Sequence, residues 1–268
     1  MVEEKSKFRF LPYETDYETL NKWRFWGRAL LFLVCTFSII VPVMQKVQPS
    51  YPLKDLLSFL NFLFIFAFFV VNVVTETFIY PATSRKRRIG FVDNSLGSKF
   101  LGEDSKNYFS NDALTFGAYK MVVNCFENCF FKYNISKGMM KFVVSKSSLF
   151  CIVFLTTAFV GFKDNSIALP ILQIFLSSLF ITELIHYLNF LVKLNILLEK
   201  FKMFFHDFIG LPPPPTLLQH SILLLLDYET TLAFNKSPLS DSVYLELREK
   251  LTKEWNELKN YYDVEKAK

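Results

Sequence analysis

Four consecutive cations, Arg85-Lys86-Arg87-Arg88, followed by Asp93-Asn94-Ser95 and Gly97, form the densest chemistry-bearing stretch of the chain. Adjacent guanidinium groups beside the backbone amides of a turn can hold a phosphate or another anion, such as a nucleotide. The same cations directly after an apolar run also serve a simpler purpose: they stop transfer at a membrane and bind anionic headgroups. Arg85, Lys86, Arg87, Arg88, Asp93 and Asn94 are therefore candidates for binding anionic lipid or an anionic ligand. No glycine-rich phosphate loop favours the ligand.

A second group of residues is polar within apolar runs. Asn61, Asn72, Thr75 and Glu76 fall near one helical face, and Ser178, Thr182, His186 and Asn189 form a comparable stripe with Glu183 beside His186. Ionisable groups at membrane depth are expensive and face a bundle interior or a wet cavity. Two roles fit Asn61, Asn72, Thr75, Glu76, Ser178, Thr182, Glu183 and His186: hydrogen bonds between helices, or the lining and gate of a polar pore.

Catalytic chemistry finds no comparable support. The histidines are His186, His206 and His220, and no Gly-x-Ser-x-Gly, His-Glu-x-x-His or Walker pattern occurs. Cys125 and Cys129 share a helix face, but a Cys-x3-Cys pair without a second pair is a poor zinc signature. Cys35 and Cys151 sit in apolar runs, where cysteine acts as a small hydrophobe. The expectation is a non-enzyme with no metal and no cofactor.

The elements that must position these residues follow from segregation of apolar and charged residues. The chain has 268 residues, 51% hydrophobic with 32 Phe, yet 21% are charged. Apolar runs from about Ala29 to Met44, Leu56 to Tyr80, Ser147 to Phe162 and Ile167 to Leu188 predict four transmembrane helices. Met1 to Tyr17 is charged and no small-residue cleavage site follows the first run, so that run is expected to remain as an anchor. Gln45 to Asp55 and Lys163-Asp164-Asn165-Ser166 read as external turns. Lys and Arg concentrate before residue 29, in the central polar segment and after residue 188, so the positive-inside rule predicts both termini in the cytosol. The organisation read here is a cytosolic segment 1–28, spans in 29–80, a cytosolic insert 81–146, spans in 147–188 and a cytosolic helical region 189–268. The two cytosolic stretches can build one discontinuous helical domain. The fold class expected is all-α, an integral membrane protein.

Within the polar parts, Asp93 to Gly97 reads as a turn, and Ser110-Asn111-Asp112 as the cap of a helix over about 113–131 with an apolar face of Phe116, Tyr119, Val123, Phe126 and Phe130. Leu191, Leu194, Leu197, Leu198, Phe201, Phe204 and Phe205 extend an amphipathic helix past residue 188. Pro212 to Pro215 ends it as a stiff extended segment, which could also serve as a proline-rich partner ligand. Leu217 to Asn235 reads as a core helix, and Ser237-Pro238 as the start of a last helix with Tyr244, Leu247, Leu251, Trp255, Leu258 and Tyr262 on one face.

With the junction Arg87-Arg88-x-x-Phe91-x-Asp93-Asn94-Ser95-Leu96-Gly97 and the ending Leu251-Thr252-Lys253-Glu254-Trp255-Asn256-Glu257-Leu258-Lys259, the chain resembles the four-span membrane effectors encoded beside nucleotide-signalling and other bacterial antiphage systems. The resemblance implies a multi-pass protein of the bacterial inner membrane. Such a protein oligomerises and permeabilises the bilayer when a cytosolic signal arrives, causing abortive infection. The implied partners are the lipid bilayer, further copies of the chain, and a cytosolic sensor protein or nucleotide signal. No nucleic acid is expected, because the basic residues outside one cluster are scattered. A second function class fits the same residues: a non-conducting anchor or scaffold whose cytosolic helices recruit a partner.

Overall fold

The computed structural model describes residues 10–47, 52–103, 105, 108–161, 179–209, 214–234 and 240–264. The turn at 163–166, most of the expected fourth span, Pro212, Pro213 and Ser237-Pro238 lie outside these residues, as does the middle of the expected turn at 45–55. The described chain is helical: α1 (Glu14–Val47), α2 (Lys54–Val74), a π-helical turn (Thr75–Ile79), α3 (Tyr80–Leu96), α4 (Ala118–Gly161), α5 (Leu179–Asp207), α6 (Leu217–Phe234) and α7 (Asp241–Tyr261). Two compact units result, one formed by Tyr13–Arg88 with Ser147–Ile181, the other by Met1–Pro12, Ile89–Lys146 and Thr182–Lys268.

In the first unit α1 and α2 pair antiparallel. Phe37 meets Phe64 edge-on at 5.1 Å, and Gly27 lies opposite Val71 with room for little more than a methyl group. The helix does not stop where the second apolar run ends at Tyr80. Helix continues through Tyr80-Pro81 to Leu96. Proline has no N–H to donate and its ring crowds the carbonyl four residues back, which usually ends a helix. Here the π turn widens the backbone just before it: the Tyr80 amide donates to the Thr75 carbonyl, five residues back. Thr75 Oγ1 donates to Val71 O at 2.7 Å and Thr83 Oγ1 to Ile79 O at 3.0 Å, so the hydroxyl that opens the widened stretch bonds to the turn before it and the one that follows bonds to its last carbonyl. Among the described residues one helix, Asp55–Leu96, is long and apolar enough to cross a membrane, and its apolar window is not buried.

The second unit holds the hydrophobic core. Phe126 of α4 stacks on Phe201 and Phe205 of α5, centroids 5.5 and 5.2 Å away, and takes the edge of Trp255 from α7 at 5.1 Å. The apolar face expected past residue 188 is buried throughout. Leu251 and Trp255 of α7 are buried, and Tyr244, Leu247, Leu258 and Tyr262 pack against the same core. Gly138 lets α7 approach α4 closely, since a Cβ there would stand 3.0 Å from Leu247 and 3.1 Å from Val243. Gly138→Val is therefore expected to push the first half of α7 away, costing about 1–3 kcal/mol by overpacking; thermal unfolding of the purified chain measures it.

Two local expectations are corrected here. Asp93, Asn94 and Ser95 form the last turn of α3, not a separate turn, and the turn follows at Gly97. Gly97 adopts φ +74°, and a side chain there would strike the Phe116 ring. Helix α4 starts at Ala118 rather than Ala113, because residues 111–117 close their own bonds: Leu114 N to Asn111 O, and Gly117 N back to Ser95 O. Phe116 is consequently exposed and off the core. From Ala118 the helix runs 44 residues to Gly161, joining the expected insert helix and third span in one element.

Candidate functional site

The polar residues of the α1–α2 pair meet one another. Glu76 lies 3.5 Å from the Arg24 guanidinium, which also sits 5.2 Å over the Tyr80 ring. Asn61 Nδ2 donates to Ser38 Oγ at 3.4 Å, while Asn61 Oδ1 is buried with no hydrogen-bond partner. Thr75 is buried and bonded to its own helix, and Asn72 is exposed. Thr182 and His186 on α5 are exposed; Ser178 and the Glu183 side chain lie outside the described residues. If the Arg24–Glu76 pair holds the hairpin, Glu76→Arg should lower the level of inserted protein, and Arg24→Glu combined with it should restore that level. A part-buried pair of this length supports an interaction of about 1 kcal/mol. Quantitative immunoblotting of membrane fractions reads the outcome; no recovery in the double variant would show that the contact does not hold the pair.

The basic stretch Arg85 to Arg88 lies within helix α3. Arg85 and Arg88 are exposed one turn apart on α3, and Lys86 pairs with Asp16 of α1 at 2.8 Å. Asp93 is buried, and its carboxylate accepts from Ser98 Oγ (2.7 Å), Leu101 N (2.9 Å) and Phe100 N (3.0 Å). Burial raises the carboxyl, but these three bonds outweigh it and hold Asp93 below its ordinary range. Asn94 Oδ1 accepts from Asn124 Nδ2 at 3.0 Å. Asp93 and Asn94 are thus occupied inside the fold, whereas Arg85 and Arg88 face outward.

The least expected feature is a buried polar cluster centred on Glu127. This carboxylate projects from the middle of the apolar face of α4 and accepts from Asn111 Nδ2 at 2.6 Å and Ser110 Oγ at 2.9 Å, with the Ser110 amide at 3.4 Å. Asn111 also donates to Asn124 Oδ1 at 3.1 Å, and Asn124 Nδ2 reaches Ser95 Oγ at 3.1 Å. From α7, Trp255 Nε1 donates to Ser110 Oγ at 2.9 Å and Lys259 Nζ lies 3.5 Å from the same oxygen. The cluster ties the end of α3, the 108–111 segment, α4 and α7 together.

Burial pushes the Glu127 carboxyl up to about 7, against the Ser110 hydroxyl and amide, the Lys259 charge and the Asn111 amide, all of which favour the anion. The group can therefore bind or release a proton near neutral pH. Cys129, two residues further along α4, is raised far out of the reactive thiol range by burial, and its Sγ lies 3.8 Å from Leu194 O. No group of three or more His, Cys, Asp or Glu side chains capable of holding a metal occurs among the described residues.

Sequence reading placed Ser110 and Asn111 only as a helix cap and passed over Glu127. The available signal was a charge at i+3 from Asn124 inside the otherwise apolar face of residues 121–131. No protein-family model, no curated protein and no solved structure matches the chain.

Proposed function

We propose that the protein is a four-span membrane effector of bacterial antiphage defence, with both termini in the cytosol. It oligomerises and permeabilises the inner membrane when a cytosolic signal reaches its second helical unit. The observation that carries this reading is the division of labour in the chain. The long helix Asp55–Leu96 leaves its apolar run unburied, with Phe59, Phe62, Phe66 and Phe69 exposed, as a bilayer-facing element requires. The second unit instead gathers Phe126, Phe190, Phe201 and Trp255 in a core of its own. The likeness of the junction and C-terminal segments to defence effectors supplies the biological setting. In this reading the Glu127 cluster is the element through which a signal in the cytosolic unit loosens or tightens α7.

Induced expression in bacteria carrying a membrane-potential dye tests the proposal. Depolarisation and growth arrest, abolished by Trp255→Ala, are expected. Undisturbed potential at full expression, in the presence of phage and of cyclic nucleotides, would sink it.

A second reading is favoured by one contact set. Arg24 with Glu76, and Asn61 with Ser38, occupy polar side chains that a pore would need. A non-conducting anchor whose second unit recruits a partner protein accounts for those contacts, and it predicts a silent bilayer in the same experiment.

A further inference from the structure

Helix α5 has two apolar faces. Leu194 and Phe201 point into the core, while Val192, Ile196 and Met203 are exposed. At about 100° per residue these three fall within about 40° of one another, on the side of the helix opposite Leu194 and Phe201. Helix α6 repeats the arrangement: Leu224 and Tyr228 are buried, and Ile222, Leu223 and Leu226 are exposed, from 43% at Ile222 to 62% at Leu223. The two helices run antiparallel, with Lys200 bound to Asp227 at 2.6 Å and Phe204 6.3 Å from the His220 ring. Since both members of the ion pair are half exposed, they mark the outer seam, with an apolar ridge on either side of it.

We propose that this α5–α6 face is where a second copy of the chain docks. The proposal rests on the oligomeric reading above and assigns its contact surface within the second unit. Lipid is a poor occupant for two reasons. The expected membrane exit lies near residue 188, and Met203 is fifteen residues further along α5. The face also lacks the positive charge that anionic headgroups select. Residues 192–204 and 217–230 contain Lys193, Lys200 and Lys202 against Glu199, Asp227 and Glu229, whereas the chain as a whole carries +5. An electroneutral surface with both signs around apolar ridges is complementary to itself in an isologous contact. From Val192 to Met203 it runs about 16 Å at 1.5 Å per residue, and two helix widths give it about 20 Å across. That is about 300 Å² on each copy, below the roughly 1,000 Å² total of a stable specific contact, so this face pairs weakly and needs reinforcement by contacts within the bilayer.

The test uses the full chain in detergent micelles and in lipid nanodiscs, with mass read by light scattering. Ile196→Glu and Leu226→Glu place charges on the two ridges, and both sites are exposed, so thermal unfolding should be unchanged. The expected result is a wild-type multimer and a double variant whose dissociation constant rises by about tenfold or more. A multimer unchanged in the double variant overturns the proposal, as does a wild-type chain that is monomeric at every concentration. Loss of retention on anionic vesicles with the multimer intact overturns it in favour of lipid. Depolarisation is scored separately in cells. A multimer lost together with its face, in a wild-type protein that never depolarises, supports this interface while rejecting the effector reading.

Discussion

Trp255→Ala is expected to destabilise the second unit by about 3–5 kcal/mol, the range for emptying an aromatic site that cannot collapse. The indole is 1% exposed and its ring lies 5.1 Å from Phe126 and 5.9 Å from Phe130. Its N–H also reaches Ser110 Oγ, so truncation removes a buried hydrogen bond along with the packing. Helix α7 has few substitutes for this anchor, because its outward positions are largely Glu, Lys and Arg. The helix should therefore detach before the rest of the unit melts. Thermal unfolding by circular dichroism gives the loss, and limited proteolysis should show early cleavage at Lys250 or Lys253. Trp255→Phe retains most of the volume and should recover more than half of the stability. Equal loss in both variants would place the energy in the N–H bond instead of the packing.

A pH titration of stability should reveal Glu127. Its carboxyl is raised from the ordinary 4.5 to about 7 in the folded protein, so between those values the folded state holds a proton that the unfolded state has released. Stability from this group is fully present below about pH 4.5 and is lost as pH rises through 7. A shift of this size corresponds to about 3 kcal/mol. The groups facing it are the Ser110 hydroxyl and amide, the Asn111 amide and the Lys259 cation. Asp93 works in the opposite sense but in another window: its lowered carboxyl withdraws stability only as pH falls below its ordinary value of 3.8. Glu127→Gln resembles the protonated form and should flatten the profile between pH 4.5 and 7. Glu127→Leu should flatten the profile too, but should cost about 2–4 kcal/mol relative to wild type at about pH 4.5, by stranding the donors of Ser110 and Asn111, and less as pH rises through 7. Unfolding midpoints across this range, followed by Trp fluorescence, decide the matter; an unchanged slope in Glu127→Gln would assign the titration elsewhere. If α7 carries the signal, the same substitution should also shift the pH at which its proteolytic protection is lost.

The α-helical class was legible because helical periodicity is local. Leu194, Leu197, Phe201 and Phe205 recur at three- and four-residue steps, as do Leu247, Leu251, Trp255 and Leu258, and both faces are turned to the core. Segregation of apolar from charged residues was likewise readable, and one helix long and apolar enough to cross a membrane agrees with it. Helix boundaries were less accessible. A π turn at Thr75–Ile79 carries the helix past Pro81, and a chain of backbone bonds over 111–117 delays α4 to Ala118. Both depend on how consecutive residues share carbonyls, which residue types alone do not specify.

The sequence by itself determined which helix faces seek apolar surroundings, because that depends only on side-chain type and a period of 3.6 residues. Tertiary structure decided what the polar residues do. Asp93 and Asn94, two candidates for an anion site, became internal acceptors. Glu76 met Arg24 across 52 positions, and Ser110 met Trp255 across 145. A carboxylate on an apolar face has no defined acidity until such distant donors close around it. Burial and hydrogen bonding, which set the proton affinity of Glu127, exist only once the chain is folded.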